Sequence, residues 1–286
     1  MRQALTFGAL LLPALVVMGF VAVLPLLAVF NYSFHDIFSL DQAYWIGLEW
    51  YQEIVTSDRF LSSLARSLLF SGVILAIQIP LGIALALVLV RLHPVLRTFG
   101  LMLVALPLVV PWNMIPMIWL ALVNPDTGLA GRAIEGMGWA FDYKFTALHT
   151  WALIVVMDTW HWIGLVVILA CASLSAIPAP LYRAAAIDGA SRLAVFRHIE
   201  LPRLAGGLAI VLLLRFVDSF MIYTEAFAIN AGGPNAATTF LSLDLGEDIK
   251  AYSYGSAAAR AMLSFLVVVT VVWAFVKITT RDRGQA

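Results

Sequence analysis

Long apolar runs separated by short polar stretches dominate the chain, and six of them, at about residues 7–30, 67–90, 98–123, 148–175, 204–229 and 256–278, reach spanning length. A helix needs about 20 mainly apolar residues to cross a hydrocarbon layer, so the pattern predicts six transmembrane helices. The first run is longer than the apolar part of a cleaved signal peptide and lacks a small-residue cleavage site, so it reads as a retained span. Pro13, Pro25, Pro80, Pro107, Pro111 and Pro116 fall inside the runs. Each removes a backbone donor and crowds a carbonyl one turn back, while neighbouring helices can satisfy the freed groups, so bent helices are expected.

Composition agrees with that pattern, because 62% of the residues are hydrophobic and only 12% are charged, too few to cover a soluble globule. The formal net charge is zero, which gives no electrostatic case for a nucleic-acid partner. The single cysteine, Cys171, excludes an intramolecular disulfide and reads as a structural thiol in a helix. No repeat, low-complexity tract or separate soluble domain interrupts the pattern, so residues 1–286 are expected to form one membrane domain.

Charge settles orientation segment by segment. With a cytoplasmic N-terminus, the inner segments hold Arg2, Arg91, Arg97, Arg183, Arg192, Arg197, Arg203, Lys277, Arg281 and Arg283. The outer ones hold chiefly Arg59, Arg132, Lys144 and Lys250 with many acids, among them Asp36, Asp41, Asp126, Glu135, Asp142, Asp244 and Glu247. Basic residues collect on the inner side, so both termini are expected in the cytoplasm, with three outer loops of about 25 to 35 residues.

A polar interruption from Ile177 to Leu204 then falls on the inner side, between spans four and five. Pro178 and Pro180 suit a helix start, Ala184, Ala185 and Ala186 give a slim helix face, and Gly189 permits a turn. A second amphipathic turn, closed by Leu201-Pro202, is expected beyond it.

Catalytic chemistry finds little support. A phosphate-binding loop needs Gly-Lys-Ser/Thr, yet Lys144, Lys250 and Lys277 follow Tyr, Ile and Val. The five histidines show no metal-ligand spacing, and no Gly-x-Ser-x-Gly elbow is present. The chain is therefore expected to be no enzyme and to hold no cofactor or metal.

Polar groups inside the spans carry more information, because a charge in hydrocarbon is costly and is usually kept for function. Asp158 and His161 lie three apart in span four beside Trp160 and Trp162, and Arg215 and Asp218 have the same spacing in span five, followed by Tyr223, Thr224 and Glu225. Both sets suit a water-filled substrate path, with Asn113 of span three as a further candidate. Aromatic faces match the C–H side of a sugar, and charged or amide groups match its hydroxyls. The alternative for Arg215 and Asp218 is an ion pair that fixes helix register, and for the tryptophans a place in the interface belt or in packing.

The stretch Ile177-Pro178, Leu181-Tyr182-Arg183-Ala184-Ala185, Ile187-Asp188-Gly189-Ala190, Phe196, Ile199-Glu200-Leu201-Pro202 resembles the cytoplasmic loop of permease subunits of binding-protein-dependent ABC importers. Arg183 stands where that family usually has Glu, reversing a charge. Trp45-Ile46-Gly47-Leu48-Glu49-Trp50-Tyr51, Asn124-Pro125-Asp126-Thr127-Gly128 and Gly232-Gly233-Pro234 with Ala237-Thr238 resemble outer-loop motifs of its carbohydrate branch, which includes the maltose and glycerol-phosphate permeases. Asn230 stands where Thr is common there, and Tyr223-Thr224 where Phe-Asp is common.

The resemblance implies the all-α, six-helix type I (MetI-like) permease fold. It also implies a second permease, two ATPase subunits that bind ATP and Mg, and an external substrate-binding protein. It assigns ATPase coupling to Tyr182, Arg183, Ala184, Ala185, Asp188, Gly189, Ala190, Phe196, Leu201 and Pro202, a helix laid in a partner's groove. The substrate would be a sugar, an oligosaccharide, glycerol or a glycerol phosphate, imported across a bacterial or archaeal plasma membrane. Two other classes remain: an ion-driven secondary transporter using Asp158, Asp218 or Glu225, and a membrane scaffold that transports nothing.

Overall fold

The computed structural model describes residues 11–39 and 42–283, so Arg2, the first four residues of the first expected span and Asp41 lie outside them. Among the described residues, five helices are long and apolar enough to cross a membrane: Leu11–Tyr32 (α1), Asp58–Leu89, Ala147–Ser175, Arg192–Asn230 with its breaks, and Tyr254–Lys277. The pair Pro94–Val109 and Trp112–Val123 makes the sixth if counted as one span, but it is bent by 82°. The kink expected in the third span is therefore a break. Pro111 forces Val110 out of the helical region, and Val110 indeed has ψ 125°.

Two compact units are present, one built from residues 1–62 and 244–274, the other from 63–243 and 275–286. In the first, α1 is followed by a short antiparallel hairpin, β1 (His35–Ser39) and β2 (Gln42–Trp45), and by α2 (Glu49–Thr56). This hairpin is an addition to the expected helices, held by the Phe34–Trp45 ring stack at 5.4 Å and by Trp50 Nε1 donating to the His35 carbonyl at 3.1 Å. A Cβ at Gly255 would strike that same carbonyl, so the start of the last helix can approach the hairpin only as glycine. Arg59, on the first turn of α3 (Asp58–Leu89), bonds Asp244 at 2.6 Å and also Glu247.

The second unit carries the packing. It contains most of α3, then α4 (Pro94–Val109), α5 (Ile115–Val123), α6 (Leu129–Gly136), α7 (Ala147–Ser175), α8 (Ala179–Ile187), α9 (Arg192–Val195), α10 (Leu201–Phe220) and α11 (Thr224–Asn230). α12 (Leu241–Lys250) and α13 (Tyr254–Arg283) follow in the chain. One apolar core gathers Phe70, Ile74, Ile115, Leu153, Met157, Ile222 and Phe240. A second gathers Ala86, Val167, Ala170, Cys171, Leu174, Leu204 and Leu208. Small residues let the helices close: a Cβ at Gly164 of α7 would meet the Val104 carbonyl of α4. Cys171 is buried in this packing, its thiol facing the Ala86 carbonyl at 3.8 Å.

The expected stop at Leu201-Pro202 is overturned. The chain runs from α9 through a π turn, Phe196–Glu200, directly into α10, whose first turn holds Pro202. Proline lacks an N–H and crowds the carbonyl four residues back, and the wider turn relieves both. The same device precedes Pro25, where the π turn Gly19–Val23 opens onto Leu24–Tyr32.

Candidate functional site

α3 and α7 contribute residues to both apolar cores and α10 to the second, and each of the three carries a polar group along its length: Gln78, Asp158 and Arg215. They meet. Arg215 donates through Nη2 to Asp158 Oδ1, through Nε to Gln78 Oε1 at 2.9 Å, and through Nη1 to Asp218 Oδ2. Gln78 Nε2 donates to Asp158 Oδ1 at 2.8 Å, closing a ring of hydrogen bonds across three spans. The guanidinium carbon also stands 4.7 Å from the centre of the Trp162 ring. All three guanidinium nitrogens are thus engaged, as a charge at this depth requires, since an unpaired one in hydrocarbon costs several kcal/mol.

Exposure separates the members. Arg215, Asp158 and Gln78 are 1%, 3% and 0% exposed, whereas the Asp218 side chain is 36% exposed. Asp158 and Arg215 therefore spend their polarity on each other, and Asp218 and the half-buried Trp162 are the members that present surface. His161 is buried edge-on to Trp162 at 4.8 Å and lies against the Pro107 backbone, whose carbonyl has no helical donor four residues on because that residue is Pro111.

The remaining sequence-predicted path residues take other partners. Trp160 packs edge-to-face with Trp119 at 5.8 Å, Tyr223 stacks on Phe227 at 5.4 Å, and Asn113 is exposed in the 3-10 turn between the halves of the broken span. Glu225 is buried on the first turn of α11. Gln78 was missed by sequence reasoning, although an amide inside an apolar run was signal enough. Asn230 was noted only as a family departure. It donates to the Tyr143 and Lys144 carbonyls at 3.4 and 3.1 Å, tying the end of α11 to the approach to α7.

At the other end of α7, the inner loop has the expected short helix. Pro178 precedes α8 in extended geometry, and the helix ends with Asp188 N bonded to the Ala184 carbonyl at 2.9 Å and Ala190 N to the Ala185 carbonyl at 2.9 Å. That ending needs a left-handed residue, and Gly189 supplies it at φ +66°. A Cβ there would meet nothing within 4 Å, so the demand on Gly189 is conformational, not spatial.

Faces divide cleanly. Tyr182 and Phe196 pack against the second core, and Ala185 is buried, while Arg183, Ala184, Asp188, Gly189, Ala190, Leu201 and Pro202 are exposed. Tyr182 Oη donates to Glu200 Oε1 at 3.4 Å, and Arg192 Nη1 donates to the same oxygen at 2.7 Å, so the loop is closed on its own π turn. Burial first, and the Glu200 carboxylate second, push the Tyr182 phenol above its ordinary range and keep it a donor. Among the described residues, Arg183 forms no ion pair within the chain.

Residues 78–281 match the family model described as binding-protein-dependent transport system inner membrane component. The chain is 29% identical over 282 residues to the trehalose/maltose transport system permease protein MalF of Thermococcus litoralis, covering 97% of this chain and 94% of that one. It is 27% identical over 247 residues to the diacetylchitobiose uptake system permease protein DasB of Streptomyces coelicolor, covering 83% and 74%. Its fold matches a chain of a bacterial ABC transporter involved in the import of the acidic polysaccharide alginate, with a TM-score of 0.83 at 20% identity, covering 98% of this chain and 96% of that one.

Proposed function

Because the chain belongs to the family of binding-protein-dependent transport system inner membrane components, we propose that it is one transmembrane permease domain in an ATP-driven importer of a carbohydrate or polyol. Its partners are a second permease, two ATPase subunits carrying ATP and Mg, and an external substrate-binding protein. The substrate class rests on relatives named for trehalose, maltose and diacetylchitobiose. Both termini face the cytoplasm, with the basic inner segments.

The observation that carries the mechanism is the exposed helix α8 with its fixed left-handed end. ATP binding draws the two ATPases together, and α8, seated in a groove on one of them, moves with it. The tie from Tyr182 and Arg192 to Glu200 supports passing that movement into α10, and α10 carries Arg215 into the polar layer with α3 and α7. In this reading Asp158, Gln78 and Arg215 hold the spans as one rigid body, and Asp218 and Trp162 offer the carboxylate and ring that a sugar would meet.

The test is Gly189→Val in the complete assembly reconstituted in lipid. Substrate-stimulated ATP hydrolysis and uptake should both be lost while the subunits still co-purify. Normal coupling in that variant would sink the assignment.

A further inference from the structure

The segment joining α5 to α7 walls a half-open pocket of about 600 Å³ lined by Asn124, Asp126, Glu135, Trp139, Phe141 and Tyr143, among others. That volume is within the range of small-molecule sites, which is about 300–1,000 Å³. We propose that this pocket is a saccharide-binding subsite on the receiving side of the protein, separate from the polar layer between the spans. The proposal rests on the carbohydrate reading above and adds to it a place where substrate is held before it reaches the spans.

The walls are built, not loose. α6 is pressed onto the end of α5 so closely that a Cβ at Gly131 would collide with the Asn124 carbonyl. The helix ends with Trp139 N bonded to the Ile134 carbonyl at 3.2 Å, and Gly138 at φ +78° turns the chain so that Trp139, Phe141 and His149 form one ring cluster. Asn124 Oδ1 accepts from Asp126 N and Thr127 N at 2.9 and 3.1 Å. Asp142 Oδ1 accepts from Lys144 N and Phe145 N, both at 3.1 Å, while Asn230 holds the Tyr143 and Lys144 carbonyls.

What remains on offer is specific. The Asp126 and Glu135 carboxylates form no ion pair among the described residues and stand exposed beside Trp139, which is 58% exposed. Aromatic faces take the C–H side of a pyranose, and carboxylates accept from its hydroxyls. Two free carboxylates against one lysine, Lys144, disfavour an acidic sugar and select a neutral one. Position fits as well. α7 starts just beyond the pocket and runs 29 residues to the inner loop, about 43 Å at 1.5 Å per residue, so pocket and coupling helix lie at opposite ends of one span.

The experiment uses the complete assembly in nanodiscs without its binding protein, with maltose and trehalose as neutral probes and galacturonate as the acidic one. The neutral sugars should quench tryptophan fluorescence saturably, Trp139→Phe should remove that component, and Asp126→Asn or Glu135→Gln should weaken it at least several-fold. In a second measurement, on the complete assembly in sealed liposomes with its binding protein supplied, uptake at low sugar should fall several-fold in these variants while ATPase stimulation by the binding protein is unchanged. If wild-type uptake of a neutral sugar is normal but no Trp139-dependent quenching occurs, the subsite is overturned and the carbohydrate reading stands. If the variants instead lose stimulation by the binding protein without any sugar-dependent signal, the surface is a protein-docking face and the subsite is likewise overturned. If the wild-type assembly takes up no carbohydrate or polyol, both readings fall.

Discussion

Arg215 shows how one residue can be legible in kind and hidden in role. A guanidinium inside an apolar run announces a purpose, but both a substrate contact and a register pair satisfy the same three-residue spacing to Asp218. The structure adds Asp158 and Gln78 from two other spans, and an exposure of only 1% takes Arg215 away from solutes. Removing one partner of a buried pair leaves an uncompensated charge, so Asp158→Ala or Arg215→Ala should each cost about 3–5 kcal/mol of stability. The double variant should cost less than the sum, by about 0.5–3 kcal/mol, in denaturant titrations of the purified chain. Asp218→Asn, at the exposed edge, should leave stability nearly unchanged and alter the substrate dependence of uptake. Arg183 is the opposite case, exposed and unpaired within the described chain, so Arg183→Glu should weaken co-purification with the ATPase subunits while leaving the permease folded.

Among the elements, the inner loop was the most readable, because its start and end are set by local chemistry. Proline before α8 and a left-handed residue after it are backbone requirements that sequence states directly. Asn tolerates the left-handed region and β-branched residues do not, so Gly189→Asn should keep most coupling where Gly189→Val abolishes it, as read by substrate-stimulated ATP hydrolysis. The π turn before Pro202 was not readable, since proline alone does not say whether a helix stops, kinks or widens. Restoring the N–H with Pro202→Ala should let the turn tighten to α-helical hydrogen bonding, shifting α8 relative to α10. Coupling should then fall several-fold without loss of thermal stability, which uptake and melting curves on the same preparation would reveal.

The whole molecule follows from the count and charge of its apolar runs. In the proposed topology the bent pair counts as one of six spans and both termini lie on the cytoplasmic side. Reagents confined to the cytoplasmic side should therefore label cysteines placed at both ends, and Cys171, buried at 2% exposure, should stay unreactive in the folded protein. The first span buries none of its spanning window within the chain. Its apolar side chains are left for lipid or for another subunit.

Sequence by itself determined the spans, their approximate limits, the inner loop with its glycine hinge, and the family, because each depends on residues close together in the chain: runs of apolar groups, prolines, a left-handed position. Only the tertiary structure decided that the third span breaks at Pro111, that Gln78, Asp158 and Arg215 close into one buried layer, that Trp160 and Tyr223 turn to other partners, and that the segment after α5 folds into a walled pocket. Those outcomes depend on which helix faces meet, and residues 80 or 137 positions apart acquire a common address only when the spans pack.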